Sequence, residues 1–350
     1  MADGMTAPLG LVGDIGGTNA RFALAAEADG RVELIDPQTY RCEDFASADE
    51  AAAVYLARHG DPGRPAAAVI AVAGPISDGA ASFTNMSWRI SETGFAERVK
   101  LKRATLINDY AALALSAAVL TPADYHHLGP ELPTPPEQTM AIMGAGTGFG
   151  ASALVAYEGH RAVMTTEGGH IGFAPADELE VEVLRVLSRR FGRVSIERIL
   201  SGPGLVNLHQ ALGEIEGREA ACESPDEVTA LADAGDAGAK LTVERFCAIL
   251  GSAAGDLALA YGARGSVFLA GGVAARLEAV LQNGGFRRRF EAKGRFQGYM
   301  AAIPTKLILR SSGAALLGAA RALMRSPCGG LEVQPLAPLG AGPVDPRVTI

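Results

Sequence analysis

Gly13-Asp14-Ile15-Gly16-Gly17-Thr18-Asn19 closes an apolar run, Leu9 to Val12, and a second strand-like run from Arg21 to Ala26 follows at once. Strand, glycine turn and strand make a hairpin, and a third strand begins near Val32. The arrangement returns later in the chain. There Met140 to Met143 ends in Gly144-Ala145-Gly146-Thr147-Gly148-Phe149-Gly150, and Ala151 to Ala156 turns at Glu158-Gly159 into Arg161 to Thr165. Each turn carries a threonine. Glycine lets backbone approach an anion closely and aim successive N–H groups at it. Two related lobes, each presenting such a hairpin to a shared cleft, would grip a polyphosphate from both sides. Neither turn is a Walker A loop, and neither fits a Rossmann turn, since a strand pattern rather than a helix follows.

Outward from these hairpins the pattern is that of a mixed α/β chain. Ser47-Ala48-Asp49-Glu50 is a capping box opening a helix that should stop at Gly60. Ala66 to Ala73 reads as a buried strand stopped by Gly74-Pro75, Arg103 to Asn108 as another, and Asp109 to Ala118 as a helix. Residues 121–138 shift to Pro, His and acidic residues and mark the crossover between lobes; His126-His127 within it reads as structural or exposed. Helices dominate from Asp177 to Ala263. Ser266 to Ala270 is then a buried strand closed by Gly271-Gly272, Lys306 to Arg310 the last strand, and Gly313 to Met324 a helix. Arg287-Arg288-Arg289 reads as a solvated helix face, because both flanks carry apolar residues at helical spacing. The tail from Ser326 to Ile350 is rich in Pro and Gly and without periodicity.

Composition narrows the class. A chain of 350 residues exceeds one ordinary domain, and 48% hydrophobic with 20% charged residues suits a globular enzyme. The formal charge of −8 argues against a nucleic-acid partner, which needs a basic footprint. Backbone amides can still bind phosphate without a cationic side chain. Cys42, Cys222, Cys247 and Cys328 form no Cys-x-x-Cys pair, so they read as isolated thiols rather than zinc ligands. No basic-then-apolar leader and no apolar run of ~20 residues occurs, which implies a cytoplasmic protein without a membrane partner.

A second set of residues stands at the ends of elements that should face one cleft. Asn108-Asp109 lies where a strand gives way to a helix, Glu167-Gly168-Gly169-His170 follows another strand, and Glu197 sits in Ser195-Ile196-Glu197-Arg198. Singly each has a plain reading: Asp109 a helix cap, Glu167 and His170 loop residues, Glu197 a surface charge. Together they are the residue types that hold a hexose by dense hydrogen bonding.

These stretches carry a resemblance. Gly13 to Arg21 and Gly144 to Gly148 resemble the two phosphate motifs of the sugar-kinase and actin superfamily, and Ala270-Gly271-Gly272-Val273 is similar to its adenosine motif. Leu106-Ile107-Asn108-Asp109, Thr166 to His170, Glu197 to Leu205, Thr84-Asn85 with Trp88, Lys293 to Phe296 and Ile303-Pro304 resemble bacterial glucokinases of the non-ROK type, from about residue 9 to about 324. The ROK cysteine-rich zinc motif is missing. The resemblance implies a two-lobed actin-like ATPase (ribonuclease H-like) α/β fold with mixed sheets and a cleft between lobes. The small lobe would comprise 8–120 plus 311–325, the large lobe 121–310, and 326–350 an extension.

The implied activity is transfer of the γ-phosphate of ATP to the 6-hydroxyl of D-glucose. Asp109 would be the general base, with Asn108, Glu167, His170 and Glu197 holding other hydroxyls. Gly13, Asp14, Ile15, Gly16, Gly17, Thr18, Asn19, Gly146, Thr147, Gly148, Gly271 and Gly272 would bind the nucleotide. Asp14 would hold Mg²⁺ through its water shell. Glucose and ATP would be the ligands, and a homodimer the assembly. The competing expectations are a kinase for mannose or an amino sugar, a sugar sensor without turnover, and a sugar-independent ATPase.

Overall fold

The computed structural model describes residues 9–28, 31–59, 65–83, 86–135 and 137–324. The expected helix stop at Gly60, the matched Thr84-Asn85 and the tail lie outside the described residues.

The chain begins with β1 (Gly10–Ile15), β2 (Asn19–Ala28), β3 (Arg31–Arg41), α1 (Ala48–Ala57) and β4 (Ala67–Val72). Then come β5 (Ile76–Ser77), β6 (Ala80–Ser82), β7 (Arg89–Ser91), α2 (Glu92–Arg98), β8 (Arg103–Asn108) and α3 (Asp109–Ser116). After β9 (Tyr125–His127), a second sheet opens with β10 (Met140–Ala145), β11 (Phe149–Tyr157) and β12 (His160–Thr166). The helices α4 (Glu178–Phe191), α5 (Gly202–Glu216), α6 (Pro225–Asp233) and α7 (Ala237–Tyr261) follow. The chain continues through β13 (Ser266–Ala270), α8 (Gly272–Arg276), α9 (Glu278–Gln282), α10 (Gly285–Glu291) and α11 (Gln297–Ala301) to β14 (Thr305–Ile308) and α12 (Ser311–Met324).

The echo between the two glycine hairpins is an echo of whole sheets. The first sheet has the order β3-β2-β1-β4-β8 and the second β12-β11-β10-β13-β14-β9. In both, the hairpin strands pair antiparallel and the next two strands add in parallel. The expected crossover contributes β9, which returns antiparallel to the edge of the second sheet at β14. A small sheet, β5-β6-β7, stands apart from the two.

Three apolar clusters hold these layers. One packs α1 and α2 on the outer face of the first sheet, and another packs the helices from α4 to α11 on the second. The third lies between the sheets and joins Val12, Val69 and Ile107 to Ile142, Phe268 and Ala270 through α3 and α12. The α3 and α12 contributions are mostly alanine and leucine. Small side chains let two helices pass closely between two sheets. At their crossing a Cβ on Gly318 would lie 1.7 Å from the Ala112 carbonyl oxygen, so the backbones themselves are in contact.

Local chemistry follows the sequence with a few corrections. The Ser47 hydroxyl accepts from Glu50 N–H at 3.2 Å, while the Glu50 carboxylate accepts from Ala46 N–H at 2.7 Å. The first strand runs past Val12 to Ile15, because Gly13, Asp14 and Ile15 continue the ladder opposite Phe22, Arg21 and Ala20. Asp14 therefore stands on a strand instead of in a turn. The expected solvated face of Arg287-Arg288-Arg289 is overturned for two of the three. Arg287 is buried and donates to the Ala301 and Ile303 carbonyls and to the Thr305 hydroxyl. Arg289 pairs with the buried Glu180 at 2.8 Å. Burial of α10 against α7 turns that face inward, and the carbonyls and carboxylates it meets satisfy the guanidiniums.

Gly318→Ala is expected to lower stability by about 2–3 kcal/mol through overpacking against Ala112. Gly298→Ala, in open space on α11, should change it by less than about 1 kcal/mol. Urea titrations of the two variants check this, and equal effects would refute the contact.

Candidate active site

The site gathers where the glycine hairpins of both sheets face the start of α3. β8 delivers Asn108 and Asp109 to that point. Asn108 is the N-cap, its side-chain oxygen accepting from the N–H groups of Tyr110 and Ala111 at 3.0 and 3.2 Å. Asp109 Oδ1 accepts from Tyr110 N–H at 2.9 Å. The carboxylate thus sits at a helix N-terminus, which favours its charged form. Burial outweighs that and pushes the Asp109 carboxyl up to about 7, and the nearby Asp14 charge adds to the rise.

Asp14 lies on β1 between two buried neighbours, Gly13 and Ile15. Glycine at 13 serves packing, since a Cβ there would meet Ile70 at 2.8 Å and Phe22 at 3.1 Å. Asp14 pairs across the hairpin with Arg21 at 3.2 Å. Burial still raises its carboxyl to about 6 against that guanidinium. The turn beyond it is tied at both ends. Gly16 N–H donates to the Asn19 carbonyl at 3.0 Å, and Cys42 N–H to that of Thr18 at 2.9 Å. Gly17 and Thr18 are exposed.

The second hairpin is held more tightly. Gly146 N–H donates to the Gly148 carbonyl at 2.8 Å, and Gly202 N–H donates to the Gly146 carbonyl at 2.8 Å, leaving Thr147 exposed at the tip. A Cβ on Gly144 would lie 1.9 Å from the Ala270 carbonyl oxygen, and one on Gly271 2.2 Å from that of Ala145. Gly271 adopts φ +95°, which favours glycine. Its N–H donates to the Ser311 hydroxyl at 3.0 Å, tying the end of β13 to the start of α12. Beyond α8, a cavity of about 240 Å³ lies between α6, α7 and α9, lined by Asp233, Lys240, Glu244, Arg276 and Val280 among others.

Glu197 reaches the same hairpin from the 3-10 turn Ile196–Arg198, its Oε2 accepting from Phe149 N–H at 2.8 Å. A Cβ on Gly148 would meet that oxygen at 2.5 Å. Glu167 precedes a second 3-10 turn, Gly168–His170, and His170 ends it. This turn rests on Phe149, where a Cβ on Gly169 would lie 2.1 Å from the carbonyl oxygen. It is also bonded to the Glu197 segment through Ile196 N–H and the Ile171 carbonyl at 2.9 Å. Glu167 and His170 face each other at 3.9 Å with side chains 83% and 62% exposed. They stand open at the rim, whereas Asp14 and Asp109 lie deep.

Sequence reasoning missed Tyr110, whose hydroxyl donates to the Gly144 carbonyl at 2.8 Å. It also gave Arg21 no role of its own, although the hairpin register puts it opposite Asp14. Alternation across a two-strand turn could have found that pair. No signal short of the tertiary fold could have found Tyr110. Among the described residues no group of three or more His, Cys, Asp or Glu is placed to hold a metal ion.

Known proteins show the same chain organisation. Residues 11–326 match the family described as Glucokinase. A glucokinase from Caulobacter sp. (strain K31) is 54% identical over 90% of this chain and 95% of its own. The crystal structure of a glucokinase from an Antarctic psychrotroph is 36% identical, with a TM-score of 0.84 over 92% of this chain and all of that one. A ROK family glucokinase from Streptomyces griseus, 19% identical, shares the fold at a TM-score of 0.61 over 90% of this chain and 99% of its own.

The raised Asp109 carboxyl has a consequence for stability. An unfolded aspartate ionises near 3.8, this one at about 7 when folded. Between those values the folded chain keeps a proton the unfolded chain has released, so its stability falls as pH rises through that window. Asp109→Asn should therefore raise Tm at pH 8, with the gain fading as pH is lowered toward 4. A thermal-melt series over that range checks it; a gain independent of pH would overturn it.

Proposed function

This chain belongs to the glucokinase family and is an ATP-dependent hexose kinase that phosphorylates glucose, and on that premise we propose how its residues divide the work. The fold is the actin-like ATPase fold of the sugar kinases, and we divide it into a small lobe, 8–120 with 311–325, a large lobe, 121–310, and an extension, 326–350. The observation that carries the reading is the convergence of two glycine hairpins on one deep carboxylate with a raised pKa, Asp109.

Asp109 is the general base. The glucose 6-hydroxyl attacks the γ-phosphorus, a new O–P bond forms as the bond to the ADP oxygen breaks, and the hydroxyl proton passes to the Asp109 carboxylate. A base ionising near 7 suits proton abstraction at neutral pH. Asn108, Glu167, His170 and Glu197 hold the remaining hydroxyls, and the exposed Glu167 and His170 are placed to fold over a bound sugar. Closure of the lobes excludes water, which would otherwise hydrolyse ATP.

The turns Gly16 to Asn19 and Gly146 to Gly148 present amides and the Thr18 and Thr147 hydroxyls to the phosphates. Gly13 and Ile15 carry Asp14 between them, and Gly271-Gly272 opens the adenosine side. Gly202 lies near Gly146, Pro225 and Val273, which leads from the second turn toward the cavity between α6, α7 and α9. That cavity receives the adenosine. The donor set fits Mg²⁺ in its usual habit of one carboxylate, waters and substrate phosphates. Asp14 would hold it through water, and the ion would neutralise charge on the transferring phosphoryl group.

We further read the protein as a cytoplasmic homodimer without nucleic-acid or membrane partners. Its net charge is −8, and among the described residues no helix is long and apolar enough to cross a membrane.

Asp109→Asn should lower kcat by about 10²–10⁴-fold. In the parent enzyme kcat/KM should fall about tenfold per unit below pH ~7, as the base becomes protonated. Coupled ADP-release assays across pH and a hexose panel, with and without Mg²⁺, test this reading. An Asn variant at full rate would sink the base assignment, and mannose exceeding glucose in kcat/KM would sink the sugar.

A further inference from the structure

Tyr110 follows the base directly and belongs to neither set of motifs. Its backbone N–H is taken by the Asn108 and Asp109 side chains, which locks its own position to theirs. Its side chain points the other way, onto the second hairpin. The hydroxyl donates to the Gly144 carbonyl at 2.8 Å. The ring lies against Gly150, where a Cβ would sit 2.0 Å from the nearest ring carbon.

Gly144 and Gly150 are direct partners across the hairpin. They form the last pair but one before the Gly146–Gly148 turn, so Tyr110 clasps both strands at the base of that turn. Glu197 secures the same hairpin one residue away, at Phe149 N–H. The phenol stays neutral in this position, because burial and the Asp109 and Glu197 charges all oppose its ionisation.

We propose that Tyr110 is a positioning residue, a spacer whose ring on Gly150 and hydroxyl on Gly144 set the distance between the Asp109 carboxylate and the Gly146–Gly148 turn. The proposal rests on Asp109 as base and on that turn as a phosphate site. Within that reading, the spacer joins the group that takes the proton to the loop that holds the phosphoryl group. Misplacement by about 1 Å between reacting groups can cost on the order of 10²-fold in rate. The ring supplies most of the spacing and the hydroxyl the final tether. Gly150 must be glycine for the same reason, since any side chain would drive the ring off its seat.

Steady-state kinetics and calorimetric glucose binding on the full-length enzyme, well below Tm, test this. Tyr110→Ala should lower kcat by about 30–100-fold while glucose Kd stays within about threefold. Tyr110→Phe should restore all but about threefold of the rate. Gly150→Ala should lower kcat as well, and in Gly150→Ala with Tyr110→Ala the two losses should not multiply, because the clash is gone.

A wild-type kcat in Tyr110→Ala, or a loss that appears in glucose Kd instead of kcat, would overturn the spacer role. So would multiplicative losses in the double variant. Asp109→Asn run in parallel separates the two readings. If it is inactive while Tyr110→Ala is normal, the spacer alone fails; if it is active, the base assignment fails and the spacer with it.

Discussion

Backbone touching backbone at the second glycine hairpin is the constraint on which the site depends. Gly144 passes so close to Ala270 that a methyl group would overlap its carbonyl. Gly169 does the same over Phe149, and Gly271 over Ala145. Through these contacts one short hairpin locates β13, the turn bearing Glu167 and His170, and the loop that opens α12. Tyr110 and Glu197 then pin it from α3 and from the 3-10 turn at Ile196. A side chain at any of the three would put a carbon 1.9–2.2 Å from a carbonyl oxygen, so the neighbours would have to move outward and the carboxylates away from the turn.

The interior between the sheets serves the same end. β8 ends at Asn108, and α3 begins where the two sheets face each other. Within the first sheet Asp14 on β1 stands two strands from the end of β8, across β4, near enough for its charge to raise the Asp109 carboxyl. That nearness has a thermodynamic cost. Two part-buried carboxylates whose ionisation is opposed are a poor choice for stability, and under the proposed assignment they suit a base that works near neutral pH. The apolar clusters on the outer faces of both sheets supply the burial that offsets it.

Much of this was legible in the linear chain because it rests on local rules. Alternation and apolar runs located β8 and β13 at their observed ends, the capping box at Ser47 opened α1, and two glycine hairpins pointed to two related lobes, whose sheets the structure shows to share one order. The residue types at Asn108, Asp109, Glu167, His170 and Glu197 pointed to a hydroxyl-binding cleft. Other features were hidden because they depend on partners distant in sequence. Arg287 looked like a solvated residue until α10 turned out to bury it under the carbonyls of Ala301 and Ile303. Asp14 looked like a turn residue until its neighbours proved to be paired in the ladder.

By itself, then, the sequence determined most strands of the two large sheets, the pairing of each hairpin and the chemical inventory of the cleft, since propensity, periodicity and turn chemistry act over a few residues. Tertiary structure alone decided which inventory members meet and in what state. Burial, not residue type, lifts the Asp109 carboxyl to about 7. Only the packing of α3 on the second sheet seats Tyr110 against Gly150. Those outcomes depend on dielectric and on ångström-scale distances between residues far apart in the chain, which no local pattern encodes.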